Sequence, residues 1–275
     1  MQFPNSIIHF QIALNNMKNK IPKIIVMSGY GLNCEEETKY AFEWAGGQSD
    51  IIHINDLIAN PTLLSDYDIL AFPGGFSYGD DTGSGKAYAN KFRNHLQKEL
   101  DEFIARDTLV VGICNGFQII TNLGLVPGAL AHNASGMYID RWVDMKCVGS
   151  SPWLKGVKEI SLPIAHGEGR YVINEDEYKK MMKNGQIAFQ YTKGDICEFQ
   201  NLPANPNGAM HDVGGVLSEN GKILGMMPHP ERGMFFQQRP DAHLKKEIAK
   251  RKKAKIPTEG PGLIIFKNAV NYFKK

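Results

Sequence analysis

The sequence has few cysteines, little net charge and no long apolar run. Four cysteines stand at positions 34, 114, 147 and 197 of 275 residues, and no two form a CxxC pair. This pattern argues against a zinc ribbon or a disulfide scaffold and suits a reducing compartment, so we expect a cytoplasmic protein. A formal net charge of +2 gives no reason to expect a nucleic acid as a partner.

Targeting and membrane signals are also missing. No stretch reaches the roughly 18 apolar residues that a membrane-spanning helix requires. The first 20 residues have no early basic cluster, and polar residues such as His9 and Gln11 interrupt their apolar run, which argues against a secretory signal. We therefore predict an N-terminal extension over residues 1–20 and a single domain over residues 21–275.

The pattern of apolar residues changes near the middle of the chain. Before residue 124, apolar strands (23–31, 50–54, 67–75 and 108–114) alternate with helical segments, including a long helix at about 85–106. From Met137 to about Leu224, strand-like pieces follow one another, with a helix near 175–183. The chain is thus predicted to form an α/β fold, a doubly wound and mostly parallel sheet flanked by helices, with added antiparallel strands.

The C-terminal part contains one run of positive charge, over residues 245–255 within a basic insertion at about 239–258. Such a run is most often the solvated face of a helix, although it could also dock a partner subunit. After it, an amphipathic segment at about 262–273 predicts a C-terminal helix that packs on the sheet.

The segment VVGICNGFQII contains the clearest catalytic motif. A β-branched strand ends in the run Gly112-Ile113-Cys114-Asn115-Gly116, and a helix begins at once. The order G-x-C-x-G is the cysteine form of the strand–turn–helix elbow that carries a nucleophile, and Gly112 and Gly116 supply the small neighbours that the turn needs. Because a helix N-terminus behind the sulfur stabilises a thiolate, we predict that Cys114 is the nucleophile.

Cys34 is the rival nucleophile, since it also stands between a strand and a helix. It lacks flanking elbow glycines, and three glutamates follow it directly. Their charge opposes a thiolate, so we expect Cys34 to pack beneath the site, with Asn33 as a candidate helix cap.

The segment GMMPHPERG supplies a candidate base. Pro228 and Pro230 bracket His229 and favour an extended or turning chain, in which residues two apart point the same way. This places His229 beside Glu231, and a carboxylate beside an imidazole fixes its tautomer and stabilises its charged form. His166, in PIAHGEG, is an alternative base.

A glycine-rich loop, FPGGFSYGDDTGSGKA, follows the third predicted strand. It is not a nucleotide-binding P-loop, because Gly79 is one residue out of place and Ala87 stands where a hydroxyl belongs. The backbone N–H groups of Gly74 and Gly75 could instead form an oxyanion hole, together with the N–H of Asn115.

Four phrases, PGGFSYGD (73–80), GICNGFQI (112–119), LPIAHGEG (162–169) and MMPHPERG (226–233), together resemble the class I (triad) glutamine amidotransferases. The resemblance implies Cys114 as nucleophile, His229 as base and Glu231 as orienting acid, with Gly74 and Gly75 in the oxyanion loop. It also implies a glutamine pocket formed by residues of two further segments: Gln118, His166, Gly167 and Glu168.

Within that class the phrases are similar to glutaminase subunits of a purine-biosynthetic synthetase. This implies glutamine as substrate, and two partners, a large ATP-binding synthetase subunit and a small accessory subunit. It implies no cofactor or metal in this chain, because ATP and magnesium belong to the synthetase. The N-terminal extension and the basic insertion are atypical of the shortest family members, and they bear on how the chain docks with its partner subunits.

The alternatives are a related cysteine hydrolase or peptidase of the same fold and a non-catalytic binding subunit.

Overall fold

The structure, a computed structural model, describes residues 20–80 and 83–274. Of the predicted extension, residues 1–19 lie outside the described residues. The described ranges contain eleven strands: β1 (Lys23–Ser28), β2 (Gln48–His53), β3 (Ile69–Phe72), β4 (Leu109–Ile113), β5 (Ala129–Ala131), β6 (Ile139–Cys147), β7 (Glu159–His166), β8 (Arg170–Val172), β9 (Ile187–Thr192), β10 (Val213–Leu217) and β11 (Ile223–Met226).

The same ranges contain eight α-helices: α1 (Glu35–Trp44), α2 (Ile54–Ala59), α3 (Lys86–Ala105), α4 (Asn115–Asn122), α5 (Glu175–Lys183), α6 (Asp195–Gln200), α7 (Ala242–Arg251) and α8 (Leu263–Phe273). Short 3-10 segments cover Pro61–Asp66, Ser77–Asp80, Pro152–Leu154, Met210–Asp212, Pro230–Arg232 and Phe236–Gln238. None of the helices in the described part of the chain is both long and apolar enough to span a bilayer.

Nine strands form one sheet in the order β2-β1-β3-β4-β11-β10-β9-β6-β7, and β5 pairs with β8 in a small second sheet. The first five strands of this order are parallel, and the pairs from β11 through β7 are antiparallel. The predicted fold class is therefore confirmed.

The central strands β3 and β4 of the parallel half are buried on both faces, which explains why they are continuously apolar. All residues of β3 and β4 are buried, and α3 covers them with side chains at helical spacing. Phe72 of β3, for example, meets Phe92 of α3 edge to face with ring centroids 5.3 Å apart. This packing fixes the carboxyl ends of β3 and β4, where the predicted loop and elbow begin.

The antiparallel half curls back towards the parallel half. Although β7 is the last strand of the sheet order, the carbonyl of its Pro163 accepts the N–H of His229 at 2.8 Å. The carbonyl of Ala165 lies 3.7 Å from Sγ of Cys114, at the end of β4. The curl thus brings distant parts of the chain to one edge of the sheet.

Two local predictions need correction, the strand expected to continue to residue 54 and the helix cap expected at Asn33. The chain turns into α2 directly after β2, because the His53 side chain accepts the N–H of Asn55 at 3.1 Å and caps the helix. Asn33 does not cap α1; Cys34 occupies the cap position without a side-chain hydrogen bond to the helix. The basic run needs no correction: it lies partly in α7, most of whose side chains are exposed, as expected for the solvated face of a helix.

Candidate active site

Cys114 lies in a strained turn between β4 and α4. Its backbone angles are φ 51° and ψ −107°, a conformation that a residue with a side chain rarely adopts. Such strain costs about 1–3 kcal/mol and persists only where the surroundings enforce it. Here the N–H of Cys114 donates to the carbonyl of Met226 on β11 at 2.8 Å. The turn therefore has the geometry of a nucleophile elbow.

The flanking glycines of the elbow are required by close backbone contacts. A methyl group added at Gly116 would lie 1.8 Å from the carbonyl oxygen of Phe72, and one added at Gly112 would lie 2.5 Å from the oxygen of Gly116. Helix α4 therefore begins in contact with the end of β3, at a distance that only glycine permits.

We predict that Gly116→Ala lowers the free energy of unfolding by more than about 3 kcal/mol, because backbone atoms must move to admit the methyl group. Urea denaturation measures the loss. Gly124→Ala is the matched control, since a methyl group there contacts nothing within 4 Å and only the positive φ opposes it. Equal losses in the two variants would contradict this account of the elbow.

His229 and Glu231 form a buried pair. Nδ1 of His229 lies 2.5 Å from Oε1 of Glu231, and both side chains are almost fully buried. Of the two expected conformations, extended or turning, residues 230–232 adopt the second, because they form a 3-10 turn. Pro230 takes the first position of this turn, where its missing N–H is not needed. The turn still places the imidazole and the carboxylate side by side.

The surroundings of His229 favour its charged form. Burial alone lowers the pKa of His229, but the Glu231 carboxylate and the Cys114 thiol raise it well above its ordinary value. A carboxylate that accepts from Nδ1 also leaves Nε2 available for proton transfer. Among the described residues, Nε2 has no well-formed hydrogen bond, and Sγ of Cys114 instead points to the carbonyl of Ala165 at 3.7 Å. Loose contacts of this kind are common in sites without substrate.

The glycine-rich loop is held by the loop that follows β1. The carbonyl of Gly74 accepts the N–H groups of Asn33 and Cys34, each at 3.1 Å. Because the peptide is planar and trans, the N–H of Gly75 points away from these donors. Within the described chain, the N–H of Gly75 has no acceptor, and the N–H of Asn115 begins α4, where no intrahelical acceptor exists. Both groups could bind an oxyanion.

His166 lies near His229 but is not paired with a carboxylate. Its Nδ1 lies 3.0 Å from Oδ1 of Asn133, and its Nε2 is buried and unpaired within the described residues. Burial, assisted by the charge of His229, lowers the pKa of His166 to about 3. The geometry thus favours His229 over His166 as the base. Asn133, which sequence reasoning did not single out, also binds the carbonyl of His166 at 2.8 Å.

The buried neutral His166 predicts sensitivity to acid. Since its pKa is about 3 in the folded protein and about 6.5 in an unfolded chain, only the unfolded chain gains a proton as the pH falls below about 6.5. Folding stability from this residue should therefore drop by about 2 kcal/mol between pH 7 and pH 5. Urea denaturation at both pH values measures the drop, which His166→Gln should remove.

The control for this measurement is His95→Gln, on the exposed face of α3. This variant should keep the pH dependence of the wild type. A wild-type-like pH dependence in His166→Gln would refute the assignment of the acid sensitivity to His166.

The predicted glutamine pocket is connected to the elbow through Gln118. The Gln118 amide donates to the carbonyl of Glu168 at 2.6 Å and accepts from Nδ2 of Asn115 at 2.7 Å. The N–H of Asn133 donates to the carbonyl of Gly167 at 2.8 Å. The Glu168 carboxylate lies 3.5 Å from Nδ1 of the exposed His132. The structure thus brings Gln118 and residues 166–168 together, while their contact with glutamine stays a prediction.

Cys34 lies beneath the site and has a different environment from Cys114. Burial raises the pKa of the Cys34 thiol, which opposes a role as nucleophile. Cys34, His229 and Glu231 each offer one possible metal-ligand atom, all within 4.8 Å of one another. However, Nδ1 of His229 is already hydrogen-bonded to the Glu231 carboxylate. The expectation that the chemistry needs no metal stays a prediction.

Comparisons with known proteins agree with this fold. Residues 21–273 match the family model of the CobB/CobQ-like glutamine amidotransferase domain, which defines the class of the chain. The phosphoribosylformylglycinamidine synthase subunit PurQ of Methanococcus maripaludis strain C5 is 49% identical over 93% of this chain and 100% of its own. The PurQ subunit of Dehalococcoides mccartyi is 36% identical over 92% of this chain and 98% of its own.

The solved structure of PurLQS from Thermotoga maritima includes a chain with a TM-score of 0.68 and 29% identity, covering 92% of this chain and 99% of that one. On the strength of these matches, the chain belongs to the family of phosphoribosylformylglycinamidine synthase subunits PurQ.

Proposed function

We propose that this chain is the glutaminase subunit of a phosphoribosylformylglycinamidine synthase, which releases ammonia from glutamine and passes it to a synthetase subunit. The observation that carries the proposal is the convergence of a strained cysteine elbow with a buried imidazole–carboxylate pair. The relatives that match nearly the whole chain bear the name of that synthase and support the choice of substrate.

The reaction follows from the charges and hydrogen bonds of the site. The thiolate of Cys114 attacks the carbon of the glutamine carboxamide, and the N–H groups of Gly75 and Asn115 stabilise the oxyanion. The imidazolium of His229 then gives its proton to the leaving nitrogen, so that ammonia departs and a glutamyl thioester remains. His229, oriented by Glu231, takes a proton from water, which attacks the thioester and releases glutamate.

The partners and cofactors are part of the same proposal. The chain would act in the cytoplasm with a large ATP-binding synthetase subunit and a small accessory subunit. The synthetase would use ATP and magnesium to replace the amide oxygen of formylglycinamide ribonucleotide with ammonia. The support is that PurQ relatives are named as synthase subunits and that the matching solved chain comes from PurLQS. No cofactor is assigned to this chain.

A reconstituted complex tests the proposal. The full-length chain is combined with its synthetase and accessory subunits, formylglycinamide ribonucleotide, ATP and magnesium, and glutamate and the amidine product are measured. We expect one glutamate for each amidine product when glutamine is the nitrogen source, and no use of glutamine when this chain is omitted. Equal use of glutamine with and without the chain would overturn the assignment.

A further inference from the structure

A second buried sulfur lies beside the proposed base. Cys34 is 1% exposed, and its Sγ lies within 4.8 Å of a ring nitrogen of His229 and of a carboxylate oxygen of Glu231. Nη2 of Arg232 donates to this sulfur at 2.9 Å, and Nε of Arg232 lies 3.3 Å from the carboxylate of Glu37 on α1. The sulfur therefore has a fixed position, held by a charged side chain that is itself paired.

The backbone of the same residue holds the glycine-rich loop. The N–H of Cys34 donates to the carbonyl of Gly74, next to the donor from Asn33. Gly74 lies between the two side chains, since a methyl group added there would be 2.6 Å from Cε1 of His229 and 3.1 Å from Sγ of Cys34. Cys34 thus holds the loop through a backbone hydrogen bond, while its side chain lies beside the imidazole of His229.

The mechanism described above does not use this thiol. Cys34 stands at the start of α1, before three glutamates, and its sulfur shares the buried space behind the imidazole with Gly74. A well-packed interior leaves no room for the ring to shift while the sulfur is present. Removing the sulfur would open a cavity on this side of the ring.

We propose that Cys34 is a positioning residue that fixes the imidazole of His229 relative to the oxyanion loop at Gly74 and Gly75. The inference rests on the proposed glutaminase function. Without the sulfur, the imidazole ring of His229 can move into the space that Sγ had filled, and proton transfer to the leaving nitrogen becomes slower. Substrate binding is unaffected, because the hydrogen bonds of Cys34 go to Asn33, Thr38, Gly74 and Arg232 and to none of the predicted pocket residues. A displacement of about 1 Å at a reacting group can reduce the rate a hundredfold.

The test compares Cys34→Ala with the conservative Cys34→Ser in the full reconstituted complex. For Cys34→Ala, we expect kcat of glutamine-dependent synthesis to fall about tenfold or more, with KM for glutamine within about twofold of the wild type. In Cys34→Ser, the hydroxyl still accepts from Arg232 and fills most of the space, so kcat should return to within about threefold of the wild type.

Two controls separate this role from a general loss of structure. Cys147→Ala removes a half-buried thiol from the end of β6, where its sulfur contacts the carbonyl of Gly149, and should leave kcat and KM unchanged. Ammonia-dependent synthesis should stay at the wild-type rate in both Cys34 variants, because it bypasses the triad and reports an assembled complex.

A wild-type kcat in Cys34→Ala would overturn the inference, and so would a loss confined to KM or an equal loss of kcat in the alanine and serine variants. Failure of the proposed function has a different signature. In that case the wild-type complex itself would make no product from glutamine, although it would still make product from ammonia.

Discussion

Replacing Cys114 with alanine is expected to abolish glutamine-dependent synthesis by the complex and to leave ammonia-dependent synthesis at the wild-type rate. The variant has no sulfur to form the glutamyl thioester, so the glutamine-dependent rate should fall by at least about 10³-fold. The ammonia-dependent rate depends on the synthetase alone. Both rates are measured on one preparation, with glutamine or an ammonium salt as the nitrogen source.

The two nitrogen sources act as internal controls for each other. A loss of both activities in Cys114→Ala would report a failure of assembly. Cys197→Ala is the control for the loss of a buried thiol, since Cys197 is buried on α6 and its sulfur contacts the carbonyl of Thr192. Persistent glutamine use by Cys114→Ala, with Cys197→Ala fully active, would remove Cys114 from the mechanism.

Glu231→Gln is expected to lower kcat for glutamine by about 10³–10⁴-fold, with a smaller effect on KM. The carboxylate accepts from Nδ1 of His229 at 2.5 Å and raises the pKa of the imidazole against the effect of burial. A neutral amide can donate to Nδ1, which would leave the proton on the wrong nitrogen for catalysis. Steady-state kinetics of glutamine-dependent synthesis measure both constants.

Glu259→Gln is the matched control for this variant. Glu259 pairs with Lys267 at 2.6 Å near the start of α8, and its carboxylate is partly exposed. The same chemical change there should leave kcat and KM at wild-type values. If Glu231→Gln kept more than about a tenth of the wild-type kcat, Glu231 would not orient the base as the mechanism requires.

The elbow and the parallel half of the fold could be predicted from the sequence because their signals are local. Gly112, Cys114 and Gly116 lie within five residues at the junction of a strand and a helix. Close contact with the carbonyl oxygen of Phe72 explains why Gly116 is needed, and close contact with the carbonyl oxygen of Gly116 explains why Gly112 is needed. Similarly, the central strands β3 and β4 of the parallel half are buried on both faces and therefore continuously apolar.

The pairing of His229 with Glu231 was argued for the extended form of a segment that was expected to be extended or turning. Spacing two residues apart in an extended chain suggested that the side chains face the same way, whereas a 3-10 turn beginning at Pro230 brings them together. The short separation tolerates either conformation, because a carboxylate two residues from an imidazole can reach Nδ1 in both.

The rest of the site depends on contacts between distant segments, which local patterns do not encode. Arg232 reaches Cys34 across 198 residues. The curl of β7 brings Ala165 to Cys114 across 51 residues. Asn133, which binds His166 and the N–H of Gly169, stands in a segment without a motif. Only the burial of a polar side chain identifies it, and burial is a property of the folded chain.

The central claim is that Cys114 is the sulfur that meets glutamine. Its most direct test is treatment of the full-length chain with the glutamine analogue diazo-oxo-norleucine, followed by mass spectrometry of the intact chain and of its peptides. We predict one adduct per chain, on the peptide that contains Cys114, and protection by excess glutamine. An adduct on Cys34 instead, or no adduct under conditions in which the complex consumes glutamine, would contradict the account.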